Sequence, residues 1–281
     1  MRLKENLAVA LAAFFSTLMI VSCQQKDLCD GSKDKDEEHG LVVAGELSNS
    51  RVQDIEEDAT CLLWIATFRG LNRYDGHAYH QYFCTEDSLG LPDNNVQDLL
   101  NDKQGRLWVA TVNGVCRYTR QDNFERIPMQ TSNRNARKLL MDSKGRVMVY
   151  NGTEVMVYDE HHHIFLPRIN RQLTNQSWGD FFIDSSDDIL LIGSENLLIY
   201  SGNDFKLRTE LKHPEGAGFY YFAMLKNGLL LSSGNGTLML FDTKGRQEVP
   251  LNTEMKARLL KHGSVVQAAC LLENNTILLN T

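Results

Sequence analysis

The chain has 281 residues, with 29 Lys+Arg against 36 Asp+Glu and a formal charge of −7. That balance argues against a nucleic-acid partner, because a phosphate-backbone binder needs a basic face. Apolar residues at 42% can bury a core and exclude global disorder, and six cysteines are too few for a disulfide-dense miniature scaffold.

The first 23 residues read as a targeting segment. Arg2 and Lys4 make a basic start, Leu7 to Val21 is an uncharged run, and Ile20-Val21-Ser22-Cys23 closes it. Fifteen residues suit a signal-peptide core better than a spanning helix, which needs about 20. The last four residues resemble a bacterial lipobox, in which Cys23 would be acylated; the alternative is an ordinary secretory signal or an uncleaved anchor. Residues 24–48 follow as an acidic tether, with six acids and three lysines between Lys26 and Glu38. The expected location is the periplasm or cell envelope, membrane-anchored through the lipid or the signal segment.

From residue 49 onward the chain repeats. Val52-Gln-Asp-Ile-Glu-Glu-Asp58 aligns with Val96-Gln-Asp-Leu-Leu-Asn-Asp102, Leu63-Trp64-Ile-Ala-Thr67 with Leu107-Trp108-Val-Ala-Thr111, and Gly70–Tyr74 with Gly114–Tyr118. Every pair is offset by 44 without a gap, and weaker copies end on aromatics 158, 200 and 241. Each unit holds apolar, β-branched runs of strand length. An Asp-x-x-Gly turn joins the first two runs at Asp102–Gly105 and Asp142–Gly145. A second tight turn surrounds Gly70, Gly114, Asn151-Gly152 and Asn235-Gly236.

Four strands in 40–45 residues, repeated, specify one blade of a β-propeller. The fold class is therefore all-β, a propeller over 49–281 with five four-stranded blades and two strands of a sixth. Trp64 and Trp108 share one strand position and are expected to fill the space between neighbouring blades. Cys61 and Cys116 read as small turn or core residues. Leu41–Leu47 aligns with the stretch ending Leu89-Gly90-Leu91 and reads as an orphan outer strand meant to complete a last blade. The count leaves an open edge, so the chain is expected to be the N-terminal portion of something longer or a truncated reading frame.

The run Asp-x-x-Gly-x-Leu-Trp-Val-Ala-Thr-x-x-Gly-x-x-Arg-Tyr, preceded by Gly90-Leu-Pro-Asp-Asn-Asn-Val96, resembles the two-component regulator propeller repeat. Leu63–Gly76 carries the same pattern. The resemblance is close over 49–118, looser to 241 and fragmentary to 281. It implies the periplasmic sensor portion of a hybrid two-component protein from a polysaccharide-degrading Gram-negative bacterium. In that family the propellers precede a Y-shaped β domain, a membrane helix, a histidine kinase, a receiver and a DNA-binding domain, none of which is found in this sequence.

No catalytic motif is present: no Gly-x-Ser-x-Gly elbow, His-Glu-x-x-His, phosphate-binding loop or EF-hand spacing. His161-His162-His163 reads as a solvated turn, since adjacent strand residues face opposite ways. No carboxylate or His is expected to recur at an inner-strand position apart from Asp58, Asp102, Asp142 and Asp184, and these read as turn formers. No enzyme activity, cofactor or metal is expected. The expected partner is an oligosaccharide or other small molecule, with a homodimer left open. A ligand would meet the face made by the blade-to-blade connections and second hairpin turns, through Arg69, Asn94, Asn95, Asn113, Asn151, Trp178, Tyr220 and Asn235. Two alternatives to a sensor remain: a non-functional truncated paralogue and a metal-dependent lactonase- or lyase-type propeller enzyme.

Overall fold

The computed structural model describes residues 41–119, 121–170, 180–193 and 196–212 and, past 212, the strands named below. The expected signal segment with Cys23, and the tether as far as residue 40, lie outside the described residues. The chain divides into two units, Met1–Asn170 and Arg171–Thr281.

The first unit holds three sheets in which sequence neighbours pair antiparallel. The first contains β1 (Leu41–Ala44), β2 (Val52–Glu57), β3 (Leu63–Thr67), β4 (Gly70–Tyr74) and β5 (Tyr79–Tyr82). The second contains β6 (Val96–Asn101), β7 (Leu107–Thr111), β8 (Gly114–Tyr118) and β9 (Phe124–Ile127). The third contains β10 (Lys138–Met141), β11 (Val147–Tyr150), β12 (Glu154–Asp159) and β13 (Ile164–Asn170). Order within each sheet follows the chain, apart from β1, which pairs with the outer edge of β5. Leu41–Ala44 is thus a fifth strand of the first blade, with Leu41 opposite Tyr82, and not the closing strand of a last one.

The second unit repeats the pattern. One blade is β14 (Asp180–Ile183), β15 (Ile189–Ile192), β16 (Asn196–Tyr200) and β17 (Leu207–Lys212). The next is β18 (Phe219–Leu225), β19 (Gly228–Ser233), β20 (Leu238–Asp242) and β21 (Gln247–Val249). A two-stranded sheet of β22 (Ala268–Leu271) and β23 (Ile277–Asn280) follows. Among the described residues all elements are strands, and consecutive four-stranded meanders are propeller blades.

The repeat has a mechanical reason at each marked residue. Trp64 and Trp108 are buried, and each lies in a core drawn from its own blade and the next. Trp64 meets Tyr118 at 4.6 Å between ring centroids, and Trp108 meets Tyr158 at 4.7 Å. The two indole N–H groups donate to Asp58 and Asp102, both at 2.8 Å. The turn aspartate therefore does two jobs. Its Oδ1 accepts backbone amides of its own turn, as from Gln104 and Arg106, while Oδ2 satisfies the buried indole. Burial alone would raise the Asp102 carboxyl, but the bonds from Trp108 and Arg106 outweigh it and hold it below its ordinary value.

The turn's fourth residue needs positive φ, which glycine adopts without Cβ strain. Gly105 sits at φ 73° and Gly145 at 82°. Cys61 and Asp187 hold the same place at 63° and 65°. Cys61 is thus the expected turn residue, and Cys116 is buried in the core between the first two blades. A further knot joins those blades at Asp122, whose Oδ1 accepts from Tyr82, Tyr118 and Arg73 at 2.6–2.7 Å.

Candidate functional site

In the first unit the innermost strands of neighbouring blades are joined by side chains instead of a backbone ladder. Asp54 Oδ2 accepts the Leu99 amide at 2.9 Å, and one repeat later Asp98 Oδ2 accepts the Leu139 amide at 2.5 Å. Gln53 donates to Asn95 Oδ1 at 2.9 Å, and Gln97 to Asn135 Oδ1 at 2.7 Å. Each glutamine sits where the inner strand shifts register against its partner, between Val52 and Asp54 and between Val96 and Asp98. Such a bulge re-aims a side chain at a strand end, and here it turns the amide onto the next connection.

This stitching corrects one reading of the sequence. Acids at inner-strand positions do recur, as Asp54 and Asp98, in addition to the turn aspartates. The signal in the sequence is the repeated Val-Gln-Asp, whose aspartate recurs at an offset of 44. Desolvation raises both carboxyls, Asp98 well above its ordinary value, and the negative charge of Asp54 raises Asp98 further. Lys138 occupies the equivalent place in the third blade and favours the charged form of both.

The connections and second hairpin turns lie together at one rim of this unit. The Gly70 amide donates to the Asn94 carbonyl at 2.6 Å, Val112 to the Asn95 carbonyl at 3.2 Å, and Ala136 to the Thr111 carbonyl at 3.0 Å. The candidate residues then separate. Arg69 and Asn113 stand exposed at the turn tips. Asn94 is committed internally, its Oδ1 accepting the Cys84 amide at 2.6 Å, and Asn95 accepts from Gln53. Asn151 is fully buried. Its Oδ1 takes the Thr153 and Glu154 amides, and its Nδ2 donates to the Asn133 carbonyl and Glu154 Oε2. It holds the turn together and presents nothing to solvent. Trp178 and Asn235 lie outside the described residues, and Tyr220 falls in β18, of which only the strand is described.

Two rim residues were not anticipated. Phe68 is 45% exposed at the tip of the β3–β4 turn, and the Arg51 guanidinium lies over its ring, 4.8 Å from the centroid. Their backbones are linked as well, the Phe68 amide donating to the Arg51 carbonyl at 3.0 Å. The available signal was an aromatic in the variable pair between the repeat's Thr and Gly, where the second blade has Val112-Asn113. The rim therefore offers an aromatic ring, guanidinium groups and an amide. This set matches a ligand with both an apolar face and paired polar groups.

The histidine run is a turn. Asp159 Oδ1 accepts the His161 and His162 amides, and the three rings are exposed. Among the described residues no group of three His, Cys, Asp or Glu side chains is placed to hold a metal ion.

Residues 90–113 match the family model described as two component regulator propeller. No curated protein matches the chain. Among solved structures, the extracellular domain of BT4673 from B. thetaiotaomicron, assigned to a hybrid two component system, is similar with a TM-score of 0.67 and 17% identity. That likeness covers 83% of this chain and 33% of the other. The extracellular domain of BT3049 from the same organism, with the same assignment, gives 0.64 at 17% identity, over 84% and 33%. Virginiamycin B lyase from Staphylococcus aureus gives 0.59 at 13% identity, over 85% and 87%. At these identities the likeness shows the fold, a β-propeller. The chain spans about a third of the length of the two extracellular domains.

Proposed function

We propose that this chain is a sensor propeller of a two-component regulatory system, held in the cell envelope, and that it binds a glycan fragment at the rim of its connections. One observation carries this reading. The stretch that matches the two component regulator propeller model, residues 90–113, contributes one connection to the rim, from Gly90, and one of its exposed turn residues, Asn113. The extracellular domains that resemble the chain support both the sensor role and a location outside the cytoplasm. Export through residues 1–23 and lipidation of Cys23 belong to the same proposal.

The experiment is a titration of the full chain with an oligosaccharide panel, read by tryptophan fluorescence and thermal stabilisation. Saturable binding without turnover is the expected result. If Trp178→Ala binds as tightly as wild type, that residue is not part of the site. A lyase reading draws on the Staphylococcus aureus enzyme, whose length is matched at 87%. Turnover of a ligand, abolished by chelator, would favour it over a sensor.

A further inference from the structure

Arginines between the blades and on the opposite rim of the first unit are neutralised. Arg73 pairs with Asp122 at 2.7 Å, Arg106 with Asp102 at 2.5 Å and Glu160 at 2.7 Å, and Arg146 with Asp142 at 2.6 Å. Arg117 reaches Glu125 at 2.5 Å, and Arg126 spends its guanidinium on loop carbonyls. On the ligand-facing rim the pattern breaks. Arg51, Arg69 and Arg134 are exposed, and none has a carboxylate partner among the described residues. This occurs in a chain whose formal charge is −7, so the rim runs against the charge of the whole.

The acids of the adjoining connection and inner strands do not cancel them. Asp93 accepts the Asn95 amide at 2.8 Å, which commits one oxygen to the connection. Asp54 and Asp98 are turned toward the neighbouring blades, each accepting a backbone amide there. Arg51 and Arg69 flank Phe68 in one local group, since Phe68 is bound to Arg51 through the backbone and precedes Arg69 in the chain. Guanidinium forks match planar or trigonal oxyanions with two parallel hydrogen bonds, and an aromatic ring takes the C–H face of a sugar.

We propose that the rim selects an anionic saccharide. Arg51 and Arg69 take its acidic group, a uronate carboxylate or a sulfate ester, and Phe68 takes the adjoining ring. This rests on the glycan-binding reading above and narrows its ligand class.

The test is calorimetric titration of the full chain with three probe sets: neutral gluco- and galacto-oligosaccharides, oligogalacturonates, and sulfated chondroitin oligosaccharides. Wild type is compared with Arg51→Gln, Arg69→Gln and a control, Arg168→Gln, which changes an exposed arginine on β13. An acid-bearing set should bind and weaken with added salt. Affinity should fall at least tenfold in either rim variant and stay unchanged in the control. Whether galacturonates or sulfated sugars bind names the acidic group. Neutral sugars binding as well as acidic ones would overturn the inference and leave the sensor reading standing. Acidic sugars binding equally to wild type and both rim variants would also overturn it. If no sugar in any set binds, both readings fail.

Discussion

Trp108→Ala tests whether the repeat's tryptophan is the centre of an inter-blade core. The side chain is fully buried, packed against Tyr158 at 4.7 Å and Phe165 at 5.8 Å between centroids, both from the next blade. Arg117 and Arg106 lie over its ring at 5.7 and 5.2 Å. Truncation removes about 200 Å² of buried surface, worth about 5 kcal/mol at about 25 cal/mol per Å². Trp-to-Ala changes in cores cost about 3–5 kcal/mol. Asp102 loses the indole donor but keeps Arg106 Nε at 2.5 Å and the turn amides, so no buried acceptor is orphaned. The hydrogen-bond term then stays near 1 kcal/mol, and a loss of about 4 kcal/mol is expected. Trp108→Phe keeps most of the ring and should lose only about 1–2 kcal/mol. Urea unfolding followed by circular dichroism measures both, with amide exchange at β7 and β11 locating the lost protection. A Trp108→Ala midpoint shifted by less than about 0.5 kcal/mol would refute the inter-blade assignment.

Two further outcomes are expected. Because Asp98 is raised in the folded state, its contribution to stability is fully present below the unfolded value near pH 4 and is lost as pH rises through the folded value. Asp98→Asn removes that loss, so its stability relative to wild type should increase from pH 4 to pH 8; a difference that stays flat with pH contradicts the raised Asp98 carboxyl. For the front of the chain, metabolic labelling with a fatty-acid analogue should tag wild type but not Cys23→Ser, and equal labelling of both would end the lipidation proposal.

The fold was legible because its signals are local and repeated. Leu-Trp-x-Ala-Thr at an offset of 44 specifies a strand, its turn and its core residue together. Tyr118 and Tyr158 completed the pattern as the rings that receive Trp64 and Trp108. Pairings between distant segments were not legible in the same way. Leu41–Ala44 reads as a strand from composition, but nothing local says that it adds to β5. The site was harder still, because residue type does not reveal side-chain direction. Asn151 has the chemistry of a ligand contact, yet the Asn-Gly-Thr-Glu sequence folds its amide onto its own turn. Phe68 sits in a pair of positions that the repeat leaves free, so no pattern marked it.

The inter-blade packing is directional. The indole belongs to the earlier blade and the receiving tyrosine to the later one, at Trp64 with Tyr118 and again at Trp108 with Tyr158. The two surfaces of such a contact differ, which makes it heterologous: it propagates head to tail. A single copy of the blade contact between two subunits is therefore not two-fold symmetric; a symmetric dimer built on it needs the contact twice, each subunit giving the indole side once and the tyrosine side once. Copies joined through it would close into a ring of two or more members or extend as a filament, according to the rotation between them.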